Sequence, residues 1–163
     1  MSMSSAEFKE GLLEEYQGEL VGEMFFSELT RRFRDPDHRY KLGSLLQLET
    51  ETAARLRPVV LELGLDLFYR DDYREMCEEF LEGCEGMDWK QLMAYLEKAV
   101  GPFVTRYAAI AETAPSEYRH LAKSMVAHEE AIQTFARLEC SGDGDGSLRE
   151  VVRQLNFPLR GRS

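Results

Sequence analysis

The chain has 163 residues, 44% hydrophobic and 31% charged, the composition of one globular domain long enough for a full core. Its net charge of −10 argues against a nucleic-acid surface and against docking on anionic lipid, both of which need clustered Lys and Arg. No apolar run approaches the roughly 20 residues of a membrane span, and the opening MSMSSAEFKE lacks the basic and apolar regions of a signal peptide. Cys77, Cys84 and Cys140 form no CxxC pair, so reduced thiols and a cytoplasmic location are expected.

The periodicity predicts an all-α chain with long helices at about 5–33, 36–63, 88–114 and 116–140. Together they make a domain over 1–140, followed by a linker, short helix and tail over 141–163. Ser4 and Glu7 have capping-box spacing at the start of the first helix. Its seam reads Leu12, Tyr16, Glu19, Glu23 and Phe26, and Gly18 and Gly22 are small residues that let another backbone approach. Asp35 caps the second helix, Pro36 suits its first turn, and Gly64 closes it. That helix carries a seam of Leu42, Leu45, Glu49, Thr52, Leu56, Val59 and Leu63, with Pro58 expected to kink its last turn.

The segment 65–87 holds a predicted short helix over Asp72 to Leu81 and is far longer than a helix–helix turn needs. Its length suits a crossover, with the third long helix starting at the end the second did not leave from. Asp88 and Gln91 form a capping box for that third helix, whose apolar positions include Trp89, Leu92, Leu96, Val100, Tyr107 and Ile110. Pro102 should bend it. Pro115-Ser116 breaks the chain and caps the fourth helix, with seam residues Met125, His128, Ile132 and Phe135. SGDGDG at 141–146 mismatches a calcium loop, with Leu148 and Gln154 where Gly and Glu belong, and reads as a linker. Ser147 with Glu150 caps a short last helix.

Each long helix thus sets an ionisable residue in or beside its seam: Glu19 and Glu23, then Glu49, then Glu97, then His128 with Glu129. Buried carboxylates must be paired, protonated or bound to a metal. Several of them converging with an imidazole favour a divalent cation with mixed oxygen and nitrogen donors, iron or manganese above all. Glu97, beside Lys98 at the edge of its stripe, reads first as a surface residue. Tyr16 and Tyr107 are expected to send hydroxyls towards the interior carboxylates. No Ser/His/Asp arrangement, phosphate-cradling loop or dinucleotide fingerprint is present.

The stretches YQGELVGEMFF, LLQLETETAARL and MVAHEEAIQTFARLE, with the long crossover, resemble the ferritin-like superfamily of rubrerythrin and di-iron carboxylate bundles over about Ala6 to Cys140. The resemblance implies an up-down four-helix bundle with a long crossover between its second and third helices, and one glutamate each from the first and third helices. It also implies a Glu-x-x-His pair from each of the second and fourth. Glu19, with Glu23 as neighbour, and Glu97 match the single glutamates. Glu49 is followed by Thr52 where histidine is expected, and His128 is preceded by Met125 where glutamate is expected, so each pair is half present. Glu23, Glu51, Glu129 and Glu130 are the substitutes at hand.

Two functions follow from the resemblance. One is a metalloprotein holding iron or manganese for redox chemistry with oxygen, peroxide or a small-molecule substrate. The other is a non-catalytic bundle with a degenerate site, acting in assembly or partner binding. The resemblance also admits a homodimer through the exposed side of the first two long helices.

Overall fold

A computed structural model describes residues 5–159. All its regular structure is helical: α1 (Ser5–Arg32), α2 (Pro36–Glu62), α3 (Asp71–Gly83), α4 (Trp89–Thr113), α5 (Arg119–Ser141) and α6 (Arg149–Gln154). No helix among the described residues is long and apolar enough to cross a membrane.

Local chemistry sets most of the boundaries. Asp35 accepts from the His38 N–H, with Pro36 in the first turn of α2. At the other end of α2, Gly64 adopts φ 72°. The Gly64 and Leu65 N–H groups then donate to Leu61 and Val60 O, closing a left-handed cap. The Asp88–Gln91 capping box is reciprocal, each side chain bonded to the other's backbone N–H. Two expected caps are not made. Helix α5 begins at Arg119 without a side-chain cap, and Ser116 bonds Glu117 instead. Ser147 is buried and donates to Glu139, so α6 also starts without one. The Ser4 cap falls outside the described residues.

Helices α1 and α2 pack as one hairpin, α4 and α5 as another. The hairpins face each other: Gly11 of α1 lies against Ile110 of α4, and Thr52 of α2 meets His128 of α5. Buried Gln17 holds the α2–α3 connection, donating to Phe68 O at 2.8 Å and accepting from the Arg70 N–H at 3.0 Å. The Tyr16 hydroxyl donates to Leu67 O; it goes to this connection, not to the interior carboxylates. Helix α3 then lies along α1, with Cys77 donating to Val21 O and Arg32 donating to Leu81 O.

At the far end, Trp89 stacks on His38 with ring centroids 3.9 Å apart and donates to Glu139. Lys41 pairs with Glu139 at 2.7 Å, which joins α2, α4 and α5. Helix α6 closes the structure against α5 and α2, with Val151 fully buried.

The interior divides into two apolar clusters. One gathers Phe8, Leu12, Leu56, Val60, Ile110 and Met125. The other gathers Phe26, Leu45, Leu48, Leu96, Ile132 and Phe135. Between them along the helices lies a band of buried polar groups.

Candidate metal centre

The band contains Glu15 and Glu19 from α1, Glu49 and Thr52 from α2, and His128 and Glu129 from α5, all buried. Tyr107 from α4, also buried, completes it. Their convergence follows from helical phase. The inward face of α1 runs Phe8, Leu12, Glu15, Glu19, Gly22, Phe26 and Leu29, all buried but the half-buried Gly22, in alternating steps of four and three that hold one side of a helix inward. This differs from the expected seam by one position in two places. Glu15 is inward beside Tyr16, and Gly22 replaces Glu23.

The glycines make room for side-chain tips, not for a neighbouring backbone. A Cβ at Gly18 would overlap the Tyr107 hydroxyl, and a Cβ at Gly22 would overlap the Glu49 carboxylate.

His128 is the hub. Its Nε2 lies 3.4 Å from Glu19 Oε2, 3.4 Å from Glu49 Oε2 and 3.9 Å from Glu129 Oε1. Its Nδ1 is 3.0 Å from the Thr52 hydroxyl, which accepts from Arg55 at 3.2 Å. Thr52 thus holds one ring nitrogen and leaves the other facing the acids. The Nε2 contacts to the three acids are not aligned as hydrogen bonds. Both oxygens of Glu15, both of Glu19, the Tyr107 hydroxyl and His128 Nε2 have no hydrogen-bond partner among the described residues.

Burial and mutual repulsion dominate the electrostatics. Burial first, then Glu49 and Glu129, hold the Glu19 carboxyl well above the ordinary range. Burial, then Glu129, does the same to Glu15. Glu129 is pushed up to about 8 by burial, although His128 pulls the other way. For His128, burial opposes the charged ring, but Glu49 and Glu129 outweigh it and raise its pKa. The Tyr107 phenol is raised well above its usual value by burial and then by the same carboxylates.

Four buried acids around one imidazole, with Glu15, Glu19 and Glu129 raised in proton affinity, form a site whose charge must be met by protons or cations. Glu19, His128 and Glu129 each offer a ligand atom, and those atoms all lie within 4.8 Å of one another. Buried oxygen and nitrogen acceptors without protein donors fit a divalent cation of the borderline kind.

Of the residues expected from sequence, the structure brings together Glu19, Glu49, His128 and Glu129. Glu23 and Glu97 stand outside. Glu23 is half-buried on the flank of α1, where burial raises its carboxyl while Arg57 and Thr50 pull it down. Glu97 is half-buried beyond the cluster, with its backbone carbonyl accepting from Gln133. The α4 contribution nearest the acids is Tyr107. Among the other substitutes, Glu51 accepts the backbone N–H groups of Asn156 and Phe157, and Glu130 is exposed. Glu15 went unrecognised, although carrying the seam back four positions from Glu19 reaches it.

No family model, curated protein or solved structure matches the chain.

Proposed function

We propose that this chain is a ferritin-like metalloprotein that binds iron or manganese between its four long helices, for redox chemistry with oxygen or peroxide. The observation that carries the reading is the buried convergence of Glu19, His128 and Glu129, with both Glu19 oxygens and His128 Nε2 lacking a hydrogen-bond partner among the described residues. The path of residues 64–83 along α1 supports the ferritin-type crossover, since α4 then starts beside His38, at the turn between α1 and α2.

Glu19, His128 and Glu129 would hold the ion, with Glu49 and Glu15 as further oxygen donors. An iron or manganese ion so held supplies one-electron redox chemistry. The chain's own residues exclude bulk water, set the imidazole through Thr52 and Arg55, and keep protons on carboxylates whose pKa values are raised.

The test is anaerobic reconstitution of the purified chain with Fe(II) or Mn(II), desalting and metal analysis, alongside Glu19→Gln and His128→Gln. Near-stoichiometric metal in the wild type and its loss in both variants is the expected result. No retained metal in the wild type, or full retention in both variants, overturns the reading.

One observation favours the second reading, a bundle with a degenerate site acting in assembly or partner binding. The raised pKa values of Glu15, Glu19 and Glu129 let protons neutralise the interior without a metal. A metal-free wild type that stays folded at neutral pH after reconstitution is the outcome this reading expects.

A further inference from the structure

A cavity of about 60 Å³ opens between α1, α3 and α4 and ends at the carboxylate band. Its aromatic wall is continuous. Phe25 and Phe80 meet edge to face with centroids 6.4 Å apart, and Phe80 meets Phe103 at 6.3 Å. Phe103 in turn meets Tyr107 at 6.1 Å, bringing the wall up to the acids. Gly22 leaves the floor open, and the ionisable side chains lining the cavity are Glu49 and Glu129. The lining contains no lysine or arginine.

This lining discriminates by chemistry. A hydrated ion would lose its water along the phenyl rings, which offer no replacement donors before the carboxylates are reached. An anion would also meet two carboxylates. An uncharged apolar molecule gains from being buried against the same surface. Size narrows the class further. The cavity is several times the minimum for one water, yet less than half the roughly 150 Å³ of an apolar cavity that accepts benzene.

We infer that the aromatic cavity admits an uncharged apolar molecule smaller than benzene and delivers it to Glu49 and Glu129, as substrate or co-substrate of the centre. The word substrate rests on the metalloprotein reading; the binding does not. Ala99, half-buried on α4, lines the cavity and belongs to no part of the donor set, so a larger side chain there fills the space without touching the acids' chemistry.

The probe is xenon, applied under pressure to crystals of the full chain, with metal content measured in parallel. Xenon is expected between Phe25, Phe80 and Phe103 in the wild type. In Ala99→Leu its occupancy should fall at least tenfold, with metal content unchanged. Should Ala99→Leu fail to fold, Phe80→Ala serves: it should gain benzene binding that the wild type lacks. Absence of xenon from the wild-type cavity, equal occupancy in Ala99→Leu, or benzene binding unchanged by Phe80→Ala would each overturn the inference. Acetate displacing xenon would overturn its selectivity for uncharged molecules. The expected xenon pattern in a protein that retains no metal would sink the metal reading and leave the cavity as a binding site for apolar molecules.

Discussion

The Glu49 carboxylate rests on the backbone of Gly22 so closely that even a methyl group there would overlap it. The missing side chain on α1 is therefore part of the acid cluster, although glycine contributes no donor.

A Gly22→Ala substitution separates stability from site geometry. Alanine is favoured over glycine inside a helix by about 1 kcal/mol, and the group it displaces is the far end of a flexible side chain. Thermal unfolding of the metal-free variant should stay within a few degrees of wild type. Iron or manganese affinity should fall at least about tenfold, since one displaced donor costs more than about 1.4 kcal/mol. A titration showing unchanged affinity would contradict this placement of Glu49.

Tyr107 presents a buried hydroxyl with no hydrogen-bond partner among the described residues. Leaving such a group unsatisfied costs about 1–3 kcal/mol. Tyr107→Phe should therefore stabilise the metal-free protein by about 1 kcal/mol in urea denaturation, with the m-value unchanged. A loss of stability would mean that the hydroxyl has a partner in solution.

The carboxyls of Glu15, Glu19 and Glu129 are all raised on folding, and so is His128. Groups raised in this way bind more protons folded than unfolded. Their stabilising contribution is complete below the unfolded values and is lost as pH climbs through the folded ones. Between pH of about 5 and 8 the melting temperature of the metal-free protein should fall steadily, the upper limit reflecting Glu129 at about 8. A divalent metal requires deprotonated ligands, so its addition should flatten or reverse that slope. Scanning calorimetry across the range, with and without Mn(II), checks both signs.

Gln17 uses both ends of its amide on the α2–α3 connection. Gln17→Ala removes two partly buried hydrogen bonds, to the Phe68 carbonyl and from the Arg70 N–H, a loss of about 1–3 kcal/mol in all. Hydrogen exchange should accelerate first over residues 66–72, before the ends of α4 and α5 respond. Uniform acceleration throughout the chain would argue against a local tether.

Helix boundaries were legible wherever a side chain had one available role. Asp35, Pro36, Gly64, Asp88 and Gln91 behave as their types and positions demand. Ser116 and Ser147 show the opposite case: a hydroxyl with cap spacing bonds Glu117 or Glu139 instead. Glu19, Glu49 and His128 were legible as interior residues because apolar neighbours at helical spacing bracket them, and Glu129 only as the neighbour of His128. The phase of α1 was not. Tyr16 is as buried as the residues of the seam, so it looks like one of them, yet it faces the connection. That misreading hid Glu15 and promoted Glu23. The separation of Glu97 from the cluster is a matter of axial position and rotation between two hairpins, which a single helix's pattern does not encode.

Helices α3 and α6 occupy different flanks of the paired hairpins. The first bridges α1 to α4 through Arg32, Phe80 and Tyr95, and the second bridges α5 to α2 through Val151 and the Glu51-bound tail. The arrangement is that of a book, with α6 as its binding and α3 as its clasp. Because Phe80 lines the aromatic cavity, the clasp also forms one wall of that space, and the bonds that fasten α3 to α1 hold that wall in place.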